Sequence, residues 1–277
     1  MLAGSGGASQ DARMHLAAIH LHPLKSAAAI AVDEAVVEPR GLRHDRRWMA
    51  VDADGGCVTG RELPRLTLVT ATPVDDGLLL EAPGMPRLHA AAQPDAERIP
   101  VAVWGSRLQA PVVAAEADAW LSTFLDRPLR LVHMDDAARR KITSSRAGDG
   151  DEVSFADAFP ILLVSHASLD GLNARLASPV SMLRFRPNLV VDGAAMHAED
   201  DWSTLDIGGV VFDVAKPCIR CVFTTVDPAR GERDPAGEPL RTLVGYRRTP
   251  HGVAFGQLLL PRSSGTLRRG DRVEVLA

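Results

Sequence analysis

Apolar positions along this chain recur mostly at a spacing of two, in short runs broken by proline, glycine and aspartate, which predicts a protein built mainly of strands. The run His15–His22 ends at Pro23. Trp48–Asp52 and Cys57–Thr59 flank Ala53-Asp54-Gly55-Gly56, a hairpin signal. Leu66–Thr72 and Leu78–Glu81 flank Asp75-Asp76-Gly77, and Val101–Trp104 and Leu108–Val113 flank Gly105-Ser106, giving two more hairpins. Strands at such regular spacing point to a barrel or sandwich. The period then changes: Ala117, Trp120, Leu121, Phe124 and Leu125 fall at helical spacing within Ala115–Leu125, with Pro128 beyond the end.

Leu129–His133 reads as a strand, and Ala137–Glu152, charged and short of large apolar residues, reads as a mobile loop that could cover a site. In the second half Ile161–Val164 is a strand leading to Ser165, a helix N-cap, and a helix across Ala167–Leu176. Further strands are expected at Leu189–Val191, at Ser203–Ile207 and Val210–Val214 around Gly208-Gly209, and at Cys221–Val226, Gly252–Leu260 and Arg272–Leu276, with a short helix near Leu240–Tyr246. No repeat or low-complexity tract appears, and a boundary between two units fits best near 134–150.

Composition narrows the function classes. The 277 residues suffice for one large or two small cores, and 46% apolar with 24% charged residues is ordinary for a globular protein. A net charge of -4 offers no basic excess for a nucleic-acid polymer. Only Lys25, Lys141 and Lys216 are lysines, so an anion site here would draw mainly on guanidinium forks. Three cysteines, Cys57, Cys218 and Cys221, are too few and too odd in number for a disulfide framework. No apolar run approaches the roughly 20 residues needed to cross a bilayer. Residues 1–13 lack the features of a secretory signal and read as a flexible leader, with Met14 as an alternative start. The expectation is a cytoplasmic protein without a membrane span.

The chemistry concentrates at Pro217-Cys218-Ile219-Arg220-Cys221, where a thiol sits beside a guanidinium at the head of a strand-like run that stops at Asp227-Pro228. Arg220 would favour the thiolate of Cys221, the form that attacks carbon or binds a soft metal. The Cys218-x-x-Cys221 spacing alone leaves half a zinc site, a redox dithiol, a structural pair and a single reactive thiolate all open. Lys25-Ser26 at a strand end can offer an ammonium and a hydroxyl to a phosphate. Asp45-Arg46-Arg47 precedes a strand, and Arg184 and Arg186 alternate so as to share one face of an extended segment. Singly, each cluster is more often a charged rim than a binding site.

Taken in order, HPLKS at 22–26, DRRW at 45–48, FRPN at 185–188, PCxRC at 217–221 running into TTVDP, and Phe255-Gly256-Gln257 resemble the MOSC-domain proteins. More narrowly, they resemble the branch typified by the mitochondrial amidoxime-reducing component and its bacterial relatives, from about His15 onward. The resemblance implies a mainly β fold with a few helices (α+β), in which an N-terminal MOSC-type β-barrel domain (14–133) packs on a MOSC β-barrel domain (134–277). It implies a molybdenum–molybdopterin cofactor whose metal is bound by Cys221, the catalytic centre, with Cys218 nearby but not a ligand. Lys25, Ser26, Arg46, Arg186, Asn188 and Arg220 match positions that hold the pterin and its phosphate, and Asp157 matches a further contact.

The implied activity is an oxidoreductase that reduces N-hydroxylated small molecules (amidoximes, hydroxylamines, N-hydroxylated bases) by oxygen transfer to molybdenum. Electrons would come from a separate electron-transfer protein, ferredoxin-like or of the cytochrome/flavin reductase type, because the ferredoxin domain of some bacterial relatives has no counterpart among these cysteines. The same domain also ends molybdenum cofactor sulfurases, so a non-catalytic cofactor carrier or sulfur-handling module is the alternative. Pyridoxal phosphate binding, another association of the family, would need a lysine aldimine, and Lys25 alone lies near the expected site. One departure stands out: Leu258 occupies the place after Phe-Gly-Gln where the mitochondrial type has tyrosine.

Overall fold

The computed structural model describes residues 14–93 and 95–277; the expected leader at 1–13 lies outside the described residues. Its largest element is a nine-stranded sheet whose central order runs Leu189–Asp192, Ile161–Ser165, Gly252–Pro261, Val210–Arg220. Beyond Val210–Arg220 lie Thr204–Ile207 and Val273–Val275. Beyond Leu189–Asp192 lies a strand from the start of the chain, His15–Leu21, with Ile30–Val32 outside it. Alternation explains the pairing of His15–Leu21: Leu16 and Ile19 are buried against Leu163, Leu189 and Leu205, so the strand needs the second half of the chain to cover its apolar positions. A second link is the antiparallel pairing of Glu34–Glu38 with Gly265–Arg268.

Ile161–Ser165 and Leu189–Asp192 are parallel, which requires a crossover. That crossover contains α2, His166–Asn173, started as expected by Ser165, whose Oγ accepts the Ser168 N–H at 3.1 Å. The helix ends before the expected Leu176 because the Asn173 side chain bonds both the N–H and the carbonyl of Val180 and turns the chain. The other helices lie where their periodicity puts them, α1 at Ala115–Leu125 and α3 at Leu240–Tyr246.

The expected hairpins form. Thr70–Val74 pairs with Gly77–Glu81, and Arg98–Val103 pairs with Ser106–Pro111 around Trp104-Gly105. The first hairpin is short, with Val51 bridged to Cys57, while Trp48–Val51 takes Arg130–His133 as its full partner. Residues 66–68, expected to begin the strand Leu66–Thr72, instead belong to the 3-10 turn Pro64–Leu68, opened by Pro64, whose fixed φ suits a helical start. The segment 137–152 is loop apart from a Lys141–Glu152 bridge. It is tied by Glu152 to Arg40 and Arg139 and by Asp151 to Arg262. No helix among the described residues is long and apolar enough to cross a membrane.

Two departures bear on the site. The expected Cys221–Val226 strand is absent: the preceding strand runs through to Arg220, and Val222–Thr225 is a 3-10 turn. The hydroxyls of Thr224 and Thr225 donate to the carbonyls of Cys221 and Val222, so local side-chain bonds override β-branched propensity. Likewise Met182–Phe185 is a 3-10 turn capped by Ser181, so Arg184 and Arg186 do not alternate on an extended strand.

Phe255-Gly256-Gln257 acquires a physical reason. Phe255 is fully buried, Gly256 has φ +75°, and the Gln257 amide donates to Asp200 at 2.8 Å. A Cβ on Gly256 would come within 2.6 Å of the Leu163 carbonyl oxygen. Gly256→Ala is therefore expected to destabilise the fold by about 2 kcal/mol or more, since it combines a positive φ with a backbone clash. Urea denaturation midpoints of the two proteins check this.

Candidate functional site

Three turns bring basic residues from distant parts of the chain to one cleft of about 250 Å³. Lys25 and Ser26 follow Leu24, which bridges to Trp48. Arg46 follows the Gly41–Leu42 strand, and Arg186 closes the Met182–Phe185 turn. Ser26, Arg46 and Arg186 all have positive φ, at 67°, 48° and 56°. Left-handed backbone is unfavourable for such residues and clusters at functional sites. All eight expected site residues, Lys25, Ser26, Arg46, Asp157, Arg186, Asn188, Arg220 and Cys221, line this cleft.

At one end the site carries more cations than carboxylates. Arg46 donates to Asp45 at 2.5 Å, to Asn188 Oδ1 at 2.9 Å and to the Arg186 carbonyl at 3.2 Å. Arg186 gives Nη1 to the Ala27 carbonyl at 2.6 Å, while its Nη2 is buried with no partner among the described residues. Burial and the facing Arg46 charge push the Arg186 guanidinium down to about 9, still cationic at neutral pH. Behind them His22 is fully buried, and burial together with Arg186 and Arg46 holds it well below its ordinary value, hence neutral. Asn188 is only 1% exposed. It accepts from Arg46 and the Leu162 N–H and donates to the His20 carbonyl, so it acts here by fixing Arg46 across the two halves of the chain.

The other end holds sulfur. Cys221 ends the long strand, whose register against Gly252–Pro261 shifts around Ala215 and again around Cys218, the second shift adjoining Pro217. Such irregularities accommodate a proline inside a sheet and re-aim neighbouring side chains. The cation on Cys221 is Arg61, not the expected Arg220: Arg61 donates Nε to Sγ at 3.1 Å and Nη2 to Asp157 at 2.7 Å. Arg220 turns away and spends Nε and Nη2 on the Phe255 carbonyl and Nη1 on the Phe185 carbonyl. Arg220 still lines the cleft, but the strand ends with it and all three of its nitrogens are given to backbone carbonyls, which leaves the bond to the sulfur to Arg61. Burial alone would lower the Arg61 guanidinium, but Asp157 and the Cys221 sulfur outweigh it and raise it. Cys218 lines the same cleft, and burial pushes its thiol up.

Asp157 joins the two ends. It accepts from Lys25 Nζ at 2.5 Å, from Arg61 and from the Trp104 indole at 3.3 Å. Desolvation in the cleft acts to raise its carboxyl, but the Lys25 and Arg61 charges more than offset this and hold it well below the usual carboxylate range. Lys25 also donates to the Phe155 carbonyl at 2.7 Å, and burial pushes its ammonium down. Leu258, the departure noted above, lines the cleft with an apolar side chain.

Arg61 escaped the sequence reading because one arginine among many carries no spacing signal. Its neighbour offers a faint one: a Cβ on Gly60 would lie 2.3 Å from the Phe223 ring, so a bare backbone there lets the two segments meet.

The donor set has a definite character. Among the described residues no three His, Cys, Asp or Glu side chains come together to hold a bare metal ion. A metal at Cys221 would need to bring most of its ligands with it. The orphaned Nη2 of Arg186 and an Arg46–Arg186 pair that shares the one carboxylate of Asp45 through Arg46, in turn, suit an anion such as a phosphate. A metal carried by a phosphorylated organic ligand fits both ends.

Comparison with known proteins shows the family. Residues 13–128 match the MOSC N-terminal beta barrel domain, and residues 150–274 match the MOSC domain. The chain is 36% identical to mitochondrial amidoxime-reducing component 1 of Mus musculus, over 94% of this chain and 82% of the relative. To the Homo sapiens protein of that name it is 34% identical over the same shares. A molybdenum cofactor sulfurase from Solanum lycopersicum is 31% identical over 92% of this chain, which corresponds to 34% of that larger protein.

Because the folded value of Asp157 lies below its unfolded value of roughly 3.9, its pairing stabilises fully above that pH and is lost as pH falls toward the folded value. Melting temperatures of the native protein and Asp157→Asn should differ by a constant gap from about pH 5 to 8 that closes below about pH 4. A gap independent of pH down to about pH 3 would contradict the pairing.

Proposed function

The chain belongs to the MOSC-domain family, with both the N-terminal barrel domain and the MOSC domain, and on that premise we propose that it binds a molybdenum–molybdopterin cofactor and reduces N-hydroxylated compounds. The observation that carries this reading is the Arg61-bonded thiol of Cys221 at one end of a cleft whose other end holds Arg46 and the half-unpartnered Arg186. The names of the relatives, amidoxime-reducing component and molybdenum cofactor sulfurase, support it at the level of cofactor and reaction class.

Bound there, the cofactor would supply two-electron oxygen-atom chemistry at the N–O bond. The chain's own residues do the holding. Arg46 and Arg186 take the phosphate with Lys25 and Ser26 beside them, and Asn188 keeps Arg46 aimed. Cys221 offers sulfur to the metal, and Arg61 flanks that sulfur from the Asp157 side. Asp157 stays ionised at neutral pH, so it anchors Lys25 and Arg61 and does not serve as the acid. Converting an amidoxime to an amidine and water consumes two electrons and two protons. The protons come from water at the open side of the cleft, and the electrons from a separate transfer protein, ferredoxin-like or of the cytochrome/flavin reductase type.

A second reading, a cofactor carrier or sulfur-handling module without turnover, draws on the likeness to the sulfurase. The two separate on activity. Cofactor-loaded protein with a chemical reductant should convert benzamidoxime to benzamidine, and a pure carrier should not. Cys221→Ser should abolish this turnover; an unchanged rate in that variant would overturn the ligand assignment. Arg186→Ala should weaken cofactor retention by about 10- to 100-fold, the worth of a charge-assisted bond to phosphate, read as molybdenum content after purification. Full metal content in that variant would remove the phosphate role.

A further inference from the structure

A second cavity of about 270 Å³ lies behind the Cys221 cleft and shares the wall made by Asp157, Ala158, Phe159 and Lys216. Its far side is the 137–152 loop, which contributes Arg140 and Lys141. All three lysines of this arginine-rich chain therefore border the two cavities: Lys25 the cleft, Lys141 the second cavity, Lys216 both.

The electrostatics are lopsided. Arg140 is 7% exposed and donates to the carbonyls of Ser154, Ala156 and Asp157, yet among the described residues it meets no carboxylate within salt-bridge distance and its buried Nε has no partner. Lys216 lies 5.2 Å over the Phe159 ring, and neither it nor Lys141 forms an ion pair among the described residues. Of the loop carboxylates, Glu152 is engaged by Arg40 and Arg139 and Asp151 by Arg262, and Asp149 neither lines the cavity nor pairs with its cations among the described residues. Asp157, the one carboxylate on the wall, is taken by Lys25 and Arg61. Around one cavity stand a buried guanidinium, the half-buried Lys216 and the exposed Lys141, none with an ion-pair partner among the described residues, so an anion there would meet three cations.

Trp104 stands at the junction. It lines the second cavity, donates its indole N–H to Asp157, and carries the Arg61 guanidinium 4.5 Å from its ring centroid. It is still 51% exposed, and its φ is +54°, a strained conformation for a bulky residue and a mark of a functional position.

We propose that this cavity is the subsite for an anionic substituent, carboxylate or phosphate, on a planar N-hydroxylated substrate. Lys141, Lys216 and Arg140 receive the anion, Trp104 supports the planar body, and the N–O group reaches over Asp157 toward Cys221. The assignment rests on the reductase reading, but its test also works without turnover.

The first measurement is binding of 4-carboxybenzamidine and benzamidine to cofactor-free protein by tryptophan fluorescence and calorimetry. The carboxylate should bind more tightly, with the fluorescence change lost in Trp104→Phe. Lys141→Gln and Lys216→Gln should each reduce that preference by about 5- to 10-fold, and Lys141→Arg should retain most of it. With loaded protein, the ratio of kcat/KM for 4-carboxybenzamidoxime over benzamidoxime should fall in the same variants, and a 4-phosphonobenzamidoxime arm shows which anion is preferred. Equal binding of the carboxylated and unsubstituted amidines, or a preference untouched by both lysine changes, overturns the subsite. A preserved binding preference with no reduction of either amidoxime would instead count against the reductase reading alone.

Discussion

The arrangement depends on like charge held together at close quarters. Arg46 and Arg186 face one another in a buried corner where Asp45 pairs with Arg46 alone, and one nitrogen of Arg186 has no partner among the described residues. Burying charge without a partner costs several kcal/mol. Such a corner is sustained either by backbone carbonyls and amides that tether the guanidinium groups, or by an anion that completes them. The tethers are visible: Ala27, Arg186 and Asn188 each accept a bond from the pair. The anion is what the remaining donor asks for.

That corner exists because the chain is interwoven. Its first strand completes the sheet of the second half before the chain leaves to build the N-terminal hairpins and α1, so turns near residues 26, 46 and 186 arrive at the same place. Asn188 holds this convergence with three bonds to three different segments. The glycine of Phe255-Gly256-Gln257 lets neighbouring strands approach, and the Phe255 carbonyl receives Arg220. Arg220, adjacent to the reactive sulfur in sequence, thus serves the frame behind it.

The sulfur end is organised on different terms. Asp157 receives an ammonium, a guanidinium and an indole, and through Arg61 it controls what lies beside Cys221. The same carboxylate separates the cleft from the lysine-bordered cavity under the 137–152 loop. The cationic corner and the sulfur share one cleft, and Asp157 belongs to both that cleft and the wall of the second cavity.

The alternating runs were enough to define most strands, and helical spacing located α1 and α3, because burial of one face is written directly into the order of residues. Local spacing failed where side chains bond their own backbone, as Thr224 and Thr225 do after Cys221, and where Pro64 starts a turn inside an apolar run. The ordered motifs from Lys25 to Arg220 carried the family resemblance and, with it, the eight residues that meet in the cleft. Only the tertiary structure decided that the guanidinium bonded to Cys221 comes from Arg61, 160 positions away, while Arg220 gives its nitrogens to the Phe255 and Phe185 carbonyls. A strand's pleat dictates which face a residue takes, but which distant residue waits on that face is settled by how the sheet closes.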